Sequence, residues 1–225
     1  MRLICGDCLD VLPTLDSESV DAVITDPPYG IDYQSARRTD SEARLPKVKN
    51  DKLPFIWWLY HAYRVTKSPG SLVCFCDWRV QDTFKMAIEA AGYDIKSQVI
   101  WDRGWHGLGD LNGQFAPQHD VIWFATKGKF VFKNGRPKSV IQSRRLAAQD
   151  LSHPTEKPVA LMRHLVRSVT GFWDVVLDPM MGSGSTGTAC AQERRDFIGI
   201  EMDGDYYKLA ERRITQAQPA LEGLA

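Results

Sequence analysis

A doubly wound α/β fold with a mostly parallel, seven-stranded sheet is what this sequence predicts, on three observations. Apolar, β-branched runs alternate with helix-like runs from end to end, the pattern of a parallel sheet covered on both faces. One such run, Val20-Asp21-Ala22-Val23-Ile24-Thr25, leads straight into Asp26-Pro27-Pro28-Tyr29. A later one, Val175-Val176-Leu177, leads into Asp178, a glycine-rich turn and a helix start. Open α/β sheets bind ligands beyond the carboxyl ends of their strands, where both polar groups would sit.

Taken in order, the strand candidates are Arg2–Cys5, Ser19–Thr25, Ser71–Cys76, Ile95–Trp101, Asp120–Ala125, Val175–Asp178 and Phe197–Glu201. Helices are predicted over Leu53–Thr66, Arg79–Ala91, Pro158–Thr170, Ser185–Glu193 and Asp205–Gln216, the last capped by Asp203 or Asp205. Two stretches break the rhythm. Ile31–Lys52 is polar and basic and reads as a long mobile loop. Lys127–Ser152 holds Phe130, Phe132 and then Asn134-Gly135, a pattern that predicts a small β-hairpin within a short insertion. Loops this long within a compact domain are usually functional or disordered.

The 225 residues suit a single domain, and 44% hydrophobic with 25% charged content is that of an ordinary globular protein. Net charge is zero, so no global field advertises a polyanionic partner. The distribution is more telling. No acid lies between Asp120 and Asp150, while Lys127, Lys129, Lys133, Arg136, Lys138, Arg144 and Arg145 all do. A second basic group is Arg37, Arg38, Arg44, Lys47 and Lys49. Such runs are commonly solvated faces, and here they are also the candidate contacts to DNA. No apolar run approaches the ~20 residues of a membrane span, which points to a cytosolic protein. The five cysteines are odd in number and scattered. Cys5-Gly6-Asp7-Cys8 has the spacing of a metal or redox pair, but without a second such pair the reading is free, buried or half-buried thiols.

Asp26-Pro27-Pro28-Tyr29 suits methylation of an exocyclic amine on a nucleobase. That nitrogen is a poor nucleophile because its lone pair is delocalised into the ring. A carboxylate and a fixed backbone carbonyl, that of Pro27, can each accept one N–H and draw the nitrogen toward tetrahedral geometry. The paired prolines fix φ and remove backbone donors. Tyr29 offers a ring on which a flipped-out base could stack. The same four residues are also a good turn starter.

In the second motif, Gly182, Gly184 and Gly187 satisfy GxGxxG, so a dinucleotide is a competing ligand. The next strand ends in Glu201, a carboxylate placed to accept ribose hydroxyls. Either NAD or S-adenosylmethionine meets those requirements. Asp178 at the mouth of the turn is hostile to a pyrophosphate and welcoming to the cationic groups of S-adenosylmethionine, which favours the methyl donor.

These residues resemble the DNA amino-methyltransferases that act on adenine N6 or cytosine N4, in the β-class order with the catalytic motif ahead of the glycine motif. The similarity covers nearly the whole chain and implies a Rossmann-like methyltransferase fold, circularly permuted relative to enzymes that begin with the glycine motif. Gly6-Asp7-Cys8-Leu9 resembles the segment whose aspartate contacts the adenine ring of the cofactor, which implicates Asp7 with Cys8. His153-Pro154-Thr155-Glu156-Lys157-Pro158 resembles the segment that cradles the methionine end, implicating His153, Thr155 and Lys157. Asp178-Pro179-Met180-Met181-Gly182-Ser183-Gly184-Ser185-Thr186 resembles the glycine motif, with Met180 in place of the usual Phe. That places Asp178, Pro179, Met180, Gly182, Ser183, Gly184, Ser185 and Thr186, followed by Glu201 and Met202, around the donor. Phe115-Ala116-Pro117-Gln118-His119-Asp120 resembles the segment with an aromatic that helps hold the extruded base, which implicates Phe115. His119 reads as an orienting residue, and Trp101, Trp105 and Trp123 as core or loop anchors.

The resemblance implies a site-specific DNA methyltransferase using S-adenosyl-L-methionine on double-stranded DNA, as in restriction–modification systems, with no metal. Asp26, Pro27, Pro28 and Tyr29 would form its catalytic group. Asp-Pro-Pro-Tyr leans to adenine N6, while cytosine N4 is the alternative. A dinucleotide oxidoreductase and a non-catalytic nucleic-acid-binding module are the rivals from other classes. A homodimer stays open.

Overall fold

The computed structural model describes residues 1–30, 53–107, 109–146 and 156–217. The expected loop Ile31–Lys52, the site candidates His153 and Thr155, and the end of the expected insertion lie outside them. The strands are β1 (Arg2–Cys5), β2 (Val20–Thr25), β3 (Thr66–Cys76), β4 (Asp94–Asp102), β5 (His119–Lys127), β6 (Val140–Gln142), β7 (Val175–Asp178) and β8 (Asp196–Glu201). The helices are α1 (Cys8–Val11), α2 (Leu59–Val65), α3 (Gln81–Ala90), α4 (Val159–Val169), α5 (Ser185–Gln192) and α6 (Gly204–Gln216). One sheet runs in the order β1-β8-β7-β2-β3-β5-β4-β6. All neighbours are parallel except β5, which is antiparallel to both β3 and β4. Among the described residues no helix is long and apolar enough to cross a membrane.

Successive residues of a strand face opposite sides of the sheet, and each side has its own core. Val23, Leu72, Cys74 and Trp123 pack with Trp58, Leu59, Phe84 and Ile88 on one side. Ala22, Ile24, Val73 and Phe75 pack with Leu161, Leu165, Ala189 and Phe197 on the other. Trp101 and Trp123 are core residues, as expected, whereas Trp105 stands exposed.

Besides an added α1 and a β3 that starts at Thr66 and not Ser71, three departures from the sequence expectation stand out. The sheet has an eighth strand, because Val140–Gln142 pairs with β4 in the register Ile100↔Val140 to Asp102↔Gln142. Three residues are too few to show a periodicity. No strand pairing flanks Asn134-Gly135 among the described residues, so the hairpin is absent there. Instead the Asn134 side chain donates to the carbonyls of Arg167 and Thr170, at 2.7 and 3.0 Å, and satisfies the carboxyl end of α4. Phe130 and Phe132 pack against Phe124, with ring centroids 5.6 and 5.3 Å away. Finally, α2 begins at Leu59 and not Leu53. Residues 53–58 run back to the Asp26–Tyr29 turn, where the Phe55 amide donates to the Pro28 carbonyl at 3.1 Å. Gly30 permits that approach, since it has φ +79° and any side chain there would collide with the Leu53–Pro54 backbone. At α6 the cap is Asp203, which accepts from the amides of Asp205 and Tyr206.

Candidate active site

The carboxyl ends of β2 and β7 emerge side by side, since the strands pair in parallel through Ala22↔Val176 and Val23↔Leu177. Thus the two motifs meet, and the Thr25 hydroxyl donates to Asp178 Oδ1 at 2.9 Å across 153 residues of sequence. This is the point where the chain order along the sheet reverses, the place such folds use for ligands.

Asp26 follows directly. The Tyr29 hydroxyl donates to its Oδ1 and the Lys157 ammonium to its Oδ2. Lys157 also stands 5.0 Å from the centroid of the Phe75 ring. The Tyr29 ring packs edge-on to Phe84 and is half-buried between the two cores. Burial, and then the negative charge of Asp26, hold the Tyr29 hydroxyl well above its ordinary pKa, so it stays a donor. Tyr29 therefore orients the carboxylate, a task its place in the motif did not reveal.

Asp178 is buried. Besides Thr25 it accepts from the Thr186 hydroxyl at 2.6 Å and the Met180 amide at 3.2 Å. Burial pushes its carboxyl up to about 6, against the lowering effect of those donors. Its observed work is to pin β2, the glycine turn and the start of α5 together. The turn itself has left-handed Gly182 and Gly184, with φ of 52° and 81°. A Cβ on Gly184 would lie 2.9 Å from that of Ala210, so glycine lets α5 start against α6. Pro179, Ser183 and Ser185 are buried and Met180 packs on the core. The buried Ser185 hydroxyl at the amino end of α5 has no partner among the described residues.

Glu201 ends β8 and accepts from the amides of Gly182 and Asp203, at 2.9 and 2.8 Å. Burial raises its pKa above the ordinary carboxylate value. The Gly6 amide donates to the Glu201 carbonyl at 2.9 Å, which sets Asp7 beside it as the cap of α1, accepting from the Leu9 amide. Met202 is half-exposed next to them. The Cys8 thiol is buried and pushed up to about 12 by that burial, the opposite of the lowered pKa that metal or redox thiols need; Cys5 is exposed. Asp7, Glu201, the glycine turn with its orphaned hydroxyl and Asp26 thus line one edge of the sheet. Carboxylates at the ends of β2, β7 and β8 around a glycine turn suit the hydroxyls and cationic groups of S-adenosylmethionine better than a pyrophosphate.

Phe115 belongs to the connection between β4 and β5, at the same edge, and is 98% exposed. The neck of that connection is clamped. Arg103 donates to the Pro117 carbonyl at 2.7 Å, and Asp102 accepts from Gly104 and from the Gln118 and Gln142 side chains. His119 opens β5 opposite Asp102.

The seven basic residues of the expected DNA-reading segment do not form one patch. Because β5 runs antiparallel, Lys127 lies opposite Gly70, at the edge away from Asp26. Its ammonium donates to the carbonyls of Tyr63 and Thr66, at 3.1 and 2.7 Å. Lys133 pairs with Asp174 at 2.5 Å at the start of β7. Lys129, Arg136 and Lys138 are exposed along the path between, whereas β6 returns the chain to the edge that holds Asp26. There the Ser143 carbonyl accepts from the Trp101 indole at 2.7 Å, and Arg144 and Arg145 follow. The Lys157–Asp26 pair was missed as a pair, since 131 residues separate its partners.

The family model described as DNA methylase matches residues 20–212. The type II methyltransferase M.HpaI of Haemophilus parainfluenzae is 30% identical over 95% of this chain and 74% of its own length. The crystal structure of the M1.HpyAVI–SAM complex superposes with a TM-score of 0.72 at 27% identity, over 94% of this chain and 98% of the other. The PvuII methyltransferase, titled cytosine-N4-specific, has the same fold, with a TM-score of 0.72 at 18% identity over 94% of this chain and 85% of the other. With both motifs at one sheet edge, the chain belongs to the N6-adenine/N4-cytosine DNA methyltransferase family.

Proposed function

We propose that this protein methylates adenine N6 in double-stranded DNA, with S-adenosylmethionine as donor. The observation that carries the reading is the carboxylate of Asp26, held by Tyr29 at the end of β2 beside the glycine turn at the end of β7. The donor supplies an electrophilic methyl on a sulfonium. Asp26 accepts one N–H of the extruded base, and the Pro27 carbonyl accepts the other. The nitrogen lone pair then forms the N–C bond as the C–S bond breaks and its electron pair leaves with sulfur. The surplus proton passes to water. Holding amine and methyl in line supplies most of the acceleration.

Glu201 binds the ribose, Asp7 the adenine end and the Gly182–Ser185 turn the remainder of the donor. Phe115 has the exposure to meet an extruded base, and Arg144 and Arg145 lie where phosphates would pass. Lys127 and Lys133, engaged at the far edge, are left out of the DNA contact. The preference for adenine rests on Asp leading the Pro-Pro-Tyr group. The test is single-molecule sequencing of DNA from a methylation-free host that expresses the chain. N6-methyladenine at one recurring sequence is expected. N4-methylcytosine would move the substrate to cytosine. Unmodified DNA, with protein that binds DNA, would leave a binding module. A nicotinamide or flavin retained through native purification would revive the oxidoreductase.

A further inference from the structure

The ammonium of Lys157 sits on the carboxylate that the reaction needs. It donates to Asp26 Oδ2 while Tyr29 holds Oδ1, and the two side chains are only 11% and 18% exposed. That arrangement opposes methyl transfer. The attacking nitrogen gains positive charge as its new bond forms, and an ammonium on the same carboxylate repels it. At ~5 Å and an effective dielectric of ~20, the repulsion slows transfer by roughly a hundredfold. The ammonium also takes up one of the two oxygens that would accept the target N–H.

A second anion removes the conflict. The donor carries a carboxylate a few bonds from its sulfur, and transfer needs its methyl within ~3.5 Å of the amine on Asp26. That carboxylate comes within the swing of the side chain that now reaches Asp26. Beside Lys157 the buried Glu156 carboxylate pairs with Arg213 at 2.7 Å, and Pro158 precedes α4, so the exchange is assigned to the side chain.

We propose that Lys157 is an exchangeable lock. Without donor its ammonium closes Asp26; the donor's carboxylate draws it away, so the catalytic carboxylate opens to a base only once the donor is in place. This rests on the methyl-transfer reading above.

Binding of two thioethers to the full chain, measured by calorimetry, tests it without DNA. One is 5′-methylthioadenosine, which has no carboxylate. The other is its 3-carboxypropyl counterpart, which has a carboxylate but neither sulfonium nor ammonium. Asp26→Asn frees the ammonium and should tighten the carboxylate probe at least about fivefold, with methylthioadenosine changed less than about twofold. Lys157→Met should weaken the carboxylate probe about tenfold and again spare methylthioadenosine. In the double variant the gain from Asp26→Asn should vanish. Should Lys157→Met lose methylthioadenosine too, Lys157→Gln replaces it in the same cycle. Asp26→Asn binding the carboxylate probe no more tightly than wild type, or a gain that survives in the double variant, overturns the lock. The methyl-transfer reading then still stands, because wild type binds both probes. Failure of wild type to bind either probe overturns both.

Discussion

The two edges of the sheet hold similar polar side chains to opposite ends. At the edge away from Asp26, charged groups bind backbone. Lys127 holds the carbonyls of Tyr63 and Thr66, Asp21 accepts from the Val175 amide, and buried Arg195 donates to Thr170 and Glu193. Those groups close strand and helix ends, where unpaired carbonyls and amides would otherwise be buried. At the carboxyl edge, the carboxylates that follow β2 and end β7 are held mainly by side chains: Tyr29 and Lys157 on Asp26, Thr25 and Thr186 on Asp178. A carboxylate held by hydroxyls or an ammonium can change partners when a ligand arrives. A lysine satisfied by two carbonyls within the fold has less reason to. The difference separates side chains committed to the backbone from side chains able to exchange partners.

Removing Asp26 should give the largest effect. Asp26→Ala should lower methyl transfer by more than about a hundredfold, roughly 3 kcal/mol or more in barrier, without weakening donor binding by more than a few-fold. Tritium transfer to unmethylated DNA and calorimetry with S-adenosylhomocysteine measure the two quantities. A variant with a tenth of wild-type turnover would return Asp26 to the turn-forming role that Asp-Pro-Pro also suits.

Asp178 sharpens the comparison from within the active edge, because it is a carboxylate held there for structure. The folded protein binds its proton more tightly than the unfolded chain, about 6 against an ordinary 3.8. Its contribution to stability is therefore greatest below the lower value and is lost as pH rises through about 6. The whole change is at most roughly 3 kcal/mol. In urea titrations, wild type should gain resistance between pH 7 and pH 5 relative to Asp178→Asn, in which the amide does not titrate. Parallel pH profiles for the two proteins would show that Asp178 is not the titrating group.

Glu201 stands between the two kinds of residue, since its oxygens hold the amides of Gly182 and Asp203 at the edge where we place the donor. Glu201→Gln keeps one acceptor and turns an NH2 toward an amide. Donor dissociation constants should rise about tenfold or more, with a smaller loss of turnover at saturation. Unchanged donor affinity would remove Glu201 from the ribose.

Strands with apolar, β-branched runs were legible in the sequence, and so was the union of the two motifs, because the alternation implies a parallel sheet whose carboxyl ends align. β6 was not, since three residues carry no period and Ile141 is buried only through its pairing with β4. The hairpin expectation at Asn134-Gly135 failed because the tertiary cap on α4 outweighed local turn preference. That the expected residues Asp7, Asp26, Asp178 and Glu201 share one sheet edge was legible, but their partners were not. Nothing in the sequence says that Lys157 meets Asp26, or that Tyr29 directs its hydroxyl there while its ring is half-buried. Charge counting carried no placement, because it cannot see that an antiparallel β5 carries Lys127 to the edge away from Asp26.

That division of the basic residues between two edges gives the smallest and most discriminating prediction. Arg144 and Arg145 follow β6 back to the catalytic edge, whereas Lys129 and Lys133 remain near the other end of β5. Removing one side chain that neutralises a phosphate should reduce the slope of log affinity against log salt by about 0.9. Neutralising Arg144 and Arg145 together, as glutamines, should lower the slope by up to about 2 and weaken DNA binding while sparing donor binding. Neutralising Lys129 and Lys133 should leave the slope unchanged. It should also cost at most about 1 kcal/mol of stability, through the half-exposed Lys133–Asp174 pair. Fluorescence anisotropy with a labelled duplex across a salt series measures both pairs side by side. An equal fall in slope from the two pairs would mean that DNA wraps both edges, and the division of labour between them would fail. A fall confined to Lys129 and Lys133 would invert it, placing the duplex against the edge opposite Asp26, where the base could not reach the carboxylate.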